Sequence, residues 1–312
     1  MVNKASGVNA NTKVLHATAE TAKSDGIDAN SGVLKIWPYG NYDFIDVSFV
    51  KTINVNEITG GIYIKIWVNE TTVKNGDKTG AMWVKINGKE VKALSVSGQG
   101  LTANTWNYMY ISRDTLISTC NVTELLGLSF YVYNAAAQWY YVDEIGYINA
   151  TGNELLSFDD ESDLCMVWGR FVTVQQLTAD EAGYPTGKGA TTGVAELPQV
   201  DDGCPSQFYF KQSINTDNVS AIILRMYVPK SAGDHRIRVY VNSNTGVRTE
   251  ITTATTPLII YDGNDTFIDV KVNLSSIASG TILTSIEIQR QWKINNKTES
   301  SYYLDSITYV AK

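Results

Sequence analysis

The sequence has very few of the residues from which metal centres and catalytic triads are built. Its 312 residues include only two histidines, His16 and His235. A histidine-based zinc site, or a serine–histidine–acid triad, needs at least one histidine in every copy of the site. The small number of histidines therefore argues against either kind of site.

Cysteine, basic charge and long apolar runs are also scarce. The three cysteines, Cys120, Cys165 and Cys204, are too few for a disulfide framework; Cys165 and Cys204 could pair, or all three could be buried thiols. A formal net charge of −7 argues against a nucleic-acid partner, because phosphate binding requires a basic surface. No run of about 18 apolar residues occurs, so we expect no membrane span. We expect the polar start, residues 1–13, which carries no visible signal peptide, to be disordered or a linker.

What the sequence does contain is an internal repeat. The segment Tyr140-Tyr141-Val142-Asp143-Glu144-Ile145 returns as Tyr302-Tyr303-Leu304-Asp305-Ser306-Ile307, and the segment 62–68 matches 222–228. A repeat of that length is large enough to bury its own core, so it indicates two tandem domains rather than a solenoid. We place them at 14–150 and 151–312.

Both repeats are rich in strand patterns. Ile62, Ile64 and Ile66 alternate with Tyr63, Lys65 and Trp67, and turn clusters such as Asn87-Gly88 follow such segments. Alternation with a period of two indicates half-buried antiparallel strands, and no long amphipathic helix is evident. The sequence therefore predicts an all-β protein of two tandem antiparallel β-sandwiches, each a jelly roll.

The ends of the second repeat resemble a known family. It opens Leu155-Leu156-Ser157-Phe158-Asp159-Asp160 and closes Tyr302-Tyr303-Leu304-Asp305. This pairing is similar to that of jelly-roll carbohydrate-binding modules in the galactose-binding-like superfamily. The resemblance implies a non-catalytic module that binds a polysaccharide or glycan. It also implies an extracellular or cell-surface location, a monomer within a larger multimodular protein, and often a structural Ca²⁺.

The acid in each closing strand bears on the calcium expectation. If Ile307 points into the core, Asp305 points inward with it, and a buried carboxylate needs a cation, hydrogen-bond donors or a raised pKa. The resemblance implies Ca²⁺ held by Asp305 with Asp159 or Asp160, mainly in the second repeat. The alternative is a carboxylate that accepts hydrogen bonds from backbone amides.

The strand positions that alternate with the core of the first repeat are mostly aromatic. We expect this face to be exposed to solvent and to stack against sugar rings, which present apolar faces to flat aromatic side chains. Its candidate sugar-binding residues are Tyr63, Lys65, Trp67, Trp83, Tyr108, Tyr110 and Tyr131. The corresponding face of the second repeat is polar, with only two aromatics. Two alternatives stay open: tyrosines are good strand residues without any ligand, and the side chains could divide between two sheets.

Aromatic residues in the loops give a second candidate site. Jelly-roll modules often bind sugars at the edge of the sandwich. The loop residues that would serve there are Trp37, Tyr39 and Trp139 in the first repeat and Trp292 in the second. The alternative is that each aromatic covers the open edge of a core.

The sequence thus favours non-enzymatic carbohydrate binding. One rival is a structural stalk of a surface adhesin without a ligand of its own. The other is a β-sandwich polysaccharide lyase or hydrolase, for which Lys65 with Tyr63, or Arg225 with Tyr227 and Arg238, would be the starting residues. No pair of carboxylates stands out as a glycosidase centre.

Overall fold

The computed structural model divides the chain into two compact units, Met1–Ile148 and Asn149–Lys312. It describes residues 2–7, 13–17, 33–37, 44–68, 83–92, 94–95, 104–131, 140–159, 163, 166–169, 194–197, 205–228, 235–252, 258–260, 266–290 and 302–312. Cys165 and Cys204 lie outside these ranges. Cys120 is a buried free thiol, and burial raises its pKa.

Unit 1 consists of two antiparallel sheets. Its strands are β1 Val2–Gly7, β2 Lys13–Ala17, β3 Val33–Trp37, β4 Phe44–Asn54, β5 Gly61–Val68, β6 Trp83–Ile86, β7 Lys89–Lys92, β8 Leu94–Ser95, β9 Thr105–Ser112, β10 Glu124–Tyr131 and β11 Tyr140–Ile148. The sheet that contains the last strand, here called the terminal sheet, has the order β2-β3-β11-β5-β9-β8. The opposing sheet has the order β1-β4-β10-β6-β7.

Unit 2 repeats this arrangement. Its strands are β12 Glu154–Leu156, β13 Val167–Gly169, β14 Ala195–Leu197, β15 Ser206–Asn215, β16 Val219–Val228, β17 His235–Ser243, β18 Arg248–Glu250, β19 Leu258–Ile260, β20 Thr266–Asn273, β21 Ile282–Arg290 and β22 Tyr302–Ala311. Its terminal sheet has the order β12-β22-β16-β20, with β14 also paired to β22. Its opposing sheet has the order β13-β15-β21-β17-β18, with β19 paired to β17.

The order of the central strands is the same in both units. The central run β11-β5-β9 corresponds to β22-β16-β20, and the run β4-β10-β6-β7 corresponds to β15-β21-β17-β18. The internal repeat of the sequence is therefore a repeat of topology. The prediction of an all-β chain with two antiparallel β-sandwiches is confirmed.

Each core is filled by the alternating apolar positions read from the sequence. In unit 1, Ile62, Ile64 and Ile66 of β5 are fully buried and belong to one cluster with Val84 and Ile86 of β6. Because β5 and β6 lie in different sheets, this cluster is the layer between them. Each such side chain contributes roughly 1.5–3 kcal/mol of burial free energy.

One expectation about the start of the chain is wrong. Residues 2–7 were expected to belong to a disordered or linker segment, but they form β1, which pairs antiparallel with β4 from Val2↔Phe49 to Gly7↔Ile45. The polar composition of this segment is compatible with an edge strand, which has a neighbour on one side only.

Candidate functional site

Five of the predicted sugar-binding residues lie together on the terminal sheet of unit 1. Tyr63, Lys65 and Trp67 alternate along β5, and β9 runs beside it. The register places Tyr110 opposite Tyr63 and Tyr108 opposite Lys65. These strands are far apart in the sequence, which gave no sign that they are neighbours. The pairing of β5 with β9 places the five residues on one sheet.

The expectation that this aromatic face is exposed is wrong for three of its members. Trp67, Tyr108 and Tyr110 are only 6%, 8% and 3% exposed. Trp67 packs edge-on against Tyr141 of β11 with ring centres 6.1 Å apart, and the Tyr110 hydroxyl donates to the Gly60 carbonyl at 2.9 Å. These rings bury one another, whereas Tyr63 and Lys65 keep partial exposure.

Lys65 is the centre of this face. Its Nζ lies 3.2 Å from Asp143 Oδ2, and it also lies 5.4 Å from the ring centre of Trp106 and 5.8 Å from that of Tyr108. Such cation–ring contacts are favourable because the ring face is electron-rich. The Tyr63 hydroxyl donates to Glu144 Oε1 at 2.6 Å. The sequence analysis missed Trp106 and the pairing of Lys65 with Asp143.

Unit 2 has an equivalent ion pair on its own terminal sheet. The Arg225 Nε lies 3.4 Å from Asp305 Oδ2, and Asp305 is fully buried. Asp143 and Asp305 each lie where the register between the closing strand and its neighbour shifts, at a β-bulge. The extra residue of a bulge re-aims its side chain, here toward the cation of the neighbouring strand.

The terminal sheet of unit 2 is also more aromatic than expected. Tyr227 contacts Phe267 and Tyr303 edge-on, with ring centres 5.6 Å and 6.2 Å apart. The sequence analysis found only two aromatics on the outer face of this repeat. Phe267, near the start of β20, was not among them, and neither was Tyr303, because the bulge at Asp305 reverses the alternation of inward and outward side chains along β22.

The described residues do not fit the expected calcium site. The positive charge beside Asp305 comes from Arg225, and the Ser306 hydroxyl donates to the same oxygen at 3.2 Å. Asp159 is exposed, and Asp160 lies outside the described ranges. Within those ranges, no group of three or more His, Cys, Asp or Glu side chains is placed to hold a metal ion.

The other candidate residues fall elsewhere. Trp83 and Tyr131 are cross-strand neighbours, but on the opposing sheet, so they do not share a surface with Trp67. The candidate residues are thus divided between two sheets, which is one of the two alternatives that the sequence left open. Trp37 ends β3, where it pairs with Lys13. Tyr39, Trp139 and Trp292 lie outside the described residues.

A second surface, on the opposing sheet of unit 2, is built from planar polar side chains. The Arg248 guanidinium lies 3.5 Å from the ring centre of Tyr240, and its Nε donates to Glu287 Oε2 at 2.8 Å. Arg238 approaches the same ring at 5.3 Å and donates from Nε to Glu250 Oε1 at 2.9 Å. Tyr240 thus carries two guanidinium groups, each of them held by a carboxylate.

Further polar side chains continue this network across the sheet. The Tyr240 hydroxyl donates to Gln289 Oε1 at 3.3 Å, and Asn242 Nδ2 donates to Glu287 Oε1 at 2.9 Å. Glu287 and Gln289 are both 7% exposed, although they alternate with the core residues Ile286 and Ile288 on β21 and so face away from the core. Charged and amide groups this buried remain only where hydrogen bonds satisfy them.

Tyr209 of β15 lies at the side of this network. Burial, together with the negative charge of Glu287, raises its pKa to about 12. The phenol is therefore neutral at physiological pH and able to donate a hydrogen bond. From the sequence, the outer face of the second repeat was described as polar but was given no role. The cross-strand adjacency of its side chains was the missing signal.

We define the polar face as Tyr209, Arg238, Tyr240, Asn242, Arg248, Glu250, Glu287 and Gln289. Two guanidinium groups and two carboxylates leave it without net formal charge. Its groups include donors, acceptors and an aromatic ring on a rigid sheet. Such a surface can orient a neutral, hydroxyl-rich ligand, because its fixed polar groups set direction. The buried Tyr240 ring lies beneath Arg248 and supports the guanidinium from below.

Comparisons with known proteins give only weak structural similarity. No family model and no curated protein sequence matches the chain. The CBM22-1–CBM22-2 tandem domain of Paenibacillus barcinonensis Xyn10C matches at 11% identity and a TM-score of 0.33, over 99% of this chain and 93% of that chain. Saccharomyces cerevisiae allantoicase matches at 9% and 0.32, over 98% and 93%. A CBM32 domain from Clostridium perfringens matches at 10% and 0.28, over 49% and 98%.

Identities and TM-scores this low carry nothing about ligand or activity. No helix in the described part of the chain is long and apolar enough to cross a membrane. The architecture of two tandem antiparallel β-sandwiches comes from the strand pairing of this chain itself.

Proposed function

We propose that this protein binds carbohydrate without modifying it, and that the polar face of unit 2 is a binding surface. The observation that carries this proposal is the network around Tyr240, in which Arg248, Glu287 and Gln289 are held in fixed positions on the outside of a sheet. A face that served only as a solvated surface would not need to bury a glutamate and a glutamine.

The chemistry of the polar face suits a sugar better than an anion. Arg238 and Arg248 each donate to a glutamate, so their positive charge is already balanced. Guanidinium and amide groups offer several directed N–H donors, and the carboxylates accept hydrogen bonds from hydroxyls. Because the groups are linked to one another before a ligand arrives, little ordering is needed when it binds.

Unit 1 adds a second candidate surface. Tyr63 and Lys65 of the terminal sheet are partly exposed, and Trp106 beside them is partly exposed too. Trp67, Tyr108 and Tyr110 would then support these groups from below instead of touching the sugar. Two surfaces on one chain raise affinity for a polymer when both can engage it together. A glycan ligand is consistent with action outside the cell or at its surface.

The proposal is tested by binding of the full chain to a panel of neutral and acidic polysaccharides, followed by calorimetry on any that bind. We expect Gln289→Ala and Arg248→Ala to weaken binding to unit 2 at least tenfold, since each removes directed hydrogen bonds. Lys271→Ala, an exposed change on the terminal sheet of the same unit, is the matched control.

Three outcomes would contradict the proposal. Binding unaffected by both polar-face variants would move the site to another surface, with Trp106→Ala as the next variant. Absence of binding across the panel would favour the stalk. Release of shorter sugars from any polymer would show an enzyme.

A further inference from the structure

A buried lysine of unit 2 lies against two carboxylates that the carbohydrate-binding proposal does not use. Lys211 is 4% exposed and Asp163 is 1% exposed. The Lys211 Nζ lies 2.8 Å from Asp163 Oδ2 and 2.9 Å from Glu154 Oε1. Lys211 belongs to β15 in the opposing sheet, whereas Glu154 belongs to β12 in the terminal sheet. The amine thus bridges two elements from different layers of the sandwich.

Two further donors converge on the same carboxylate oxygen. The backbone N–H of Phe158 donates to Asp163 Oδ2 at 3.0 Å, and the Ser157 hydroxyl donates to it at 3.3 Å. Phe158 has a φ of 62°, in the left-handed region that non-glycine residues seldom adopt. Donors fixed in this way stabilise negative charge that develops on the oxygen.

We propose that Lys211 and Asp163 become joined by an intramolecular isopeptide bond, with Glu154 carrying the protons. A nucleophile, an acyl carbon, donors for the oxyanion and a proton carrier meet in one buried site. Reacting groups held in contact have effective molarities far above those in solution, and burial removes the water that would oppose condensation. The inference is independent of any sugar ligand.

The bond changes balance without any further reagent. Glu154 takes one proton from the Lys211 ammonium across their 2.9 Å contact and then turns to deliver it to Asp163 Oδ1, leaving a neutral amine and a neutral acid. The Nζ lone pair then attacks Asp163 Cγ, and the negative charge of the tetrahedral intermediate lies on Oδ2, facing the Phe158 N–H. A second proton leaves Nζ through Glu154 to Oδ1. The Cγ–Oδ1 bond breaks, one water departs, and the C–N bond remains as an amide.

The starting state explains why a proton carrier is needed. Burial pulls the pKa of Lys211 down, but the charges and hydrogen bonds of Asp163 and Glu154 outweigh this effect and raise the pKa. The resting pair is therefore ammonium and carboxylate. The Glu154 side chain is 28% exposed, so it lies between the buried amine and solvent. The departing water has a route past it.

The experiment is the intact mass of the full chain under denaturing conditions. We expect the wild-type chain to be lighter than its sequence mass by one water. Lys211→Arg keeps the positive charge but is not expected to form the amide under these conditions, and Glu154→Gln keeps the shape but carries no proton. Both variants should have their full sequence masses. Lys51→Arg, at an exposed lysine on the corresponding strand β4 of unit 1, should keep the loss of water.

Peptide mapping identifies the bond directly. A protease digest of the wild-type chain should contain one branched peptide that joins the segments around residues 163 and 211. Should a variant fail to fold, the wild-type mass and this digest still decide the matter. A wild-type chain at its full sequence mass, with Asp163 and Lys211 in separate linear peptides, would overturn the proposal.

Discussion

Arg225 and Asp305 in unit 2 stand in the same relationship as Lys65 and Asp143 in unit 1. In each pair the acid lies at a bulge of the closing strand and the cation lies on the next strand of the sheet. The pairs differ in burial, because Asp305 is fully buried whereas the Asp143 side chain is 16% exposed. This difference in burial can be tested by removing the cation of each pair.

Arg225→Ala should destabilise unit 2 more than Lys65→Ala destabilises unit 1. Loss of Arg225 leaves a buried carboxylate without its cation, and we expect a loss of roughly 2–3 kcal/mol. The pair in unit 1 is partly solvated, so its loss should be about 1 kcal/mol or less. Chemical denaturation of the full chain measures both. The double variant Arg225→Ala/Asp305→Asn should recover part of the loss, and equal effects of the two single variants would contradict this account.

Gly146→Ala should disturb the aromatic face of unit 1 through Tyr63. An added Cβ at Gly146 would lie 2.5 Å from the Tyr63 ring, which is tied by its hydroxyl to Glu144 at 2.6 Å. Moving the ring breaks that hydrogen bond, so we expect a loss of about 1–2 kcal/mol. A double-mutant cycle with Tyr63→Ala checks the cause, since Gly146→Ala should be nearly neutral once the ring is absent. If Gly146→Ala destabilised the Tyr63→Ala variant as much as the wild type, the effect would come from the backbone at Gly146 and not from the Tyr63 ring.

Stability should fall above pH 10 because of Tyr209. Its pKa is raised to about 12 in the folded chain, mainly by burial and then by Glu287. Between about pH 10, where an unfolded tyrosine ionises, and about pH 12, the unfolded state loses a proton that the folded state keeps. The contribution of Tyr209 to the free energy of unfolding is present in full below pH 10. It falls by up to about 2–3 kcal/mol between pH 10 and pH 12. Tyr209→Phe should flatten the decline, as measured by denaturation at each pH.

Calcium chelation should leave the unfolding of unit 2 unchanged. Arg225 already supplies the positive charge beside Asp305, the buried acid of the expected site. Thermal unfolding in excess chelator, compared with millimolar Ca²⁺, measures this; the control is an equal ionic strength of Na⁺. A clear rise in unfolding temperature with Ca²⁺ would restore the site at Asp159, Asp160 and Asp305 that the sequence predicted.

The fold was largely predictable because its signals are local. Alternation in β5 and the repetition of the closing strand required no knowledge of which strands are neighbours. The polar face was not predictable, because Glu287 lies 39 residues after Arg248 and meets Arg248 and Tyr240 only through strand pairing. The predicted exposure of Trp67 was wrong for the same reason, because Tyr141 on another strand covers its ring. Lys211 gave no sign in the sequence, since a lysine in a strand is ordinarily exposed.

The position of the closing strands sets the order in which the chain can fold as it is made. In unit 1, β11 lies inside its sheet, between β3 and β5, and in unit 2, β22 lies between β12 and β16. A growing chain therefore exposes two unpaired strand edges until the final stretch of each unit leaves the ribosome, and only then can the sheet close. A chain cut before Tyr302 would lack this central strand of unit 2 and expose those edges to other chains.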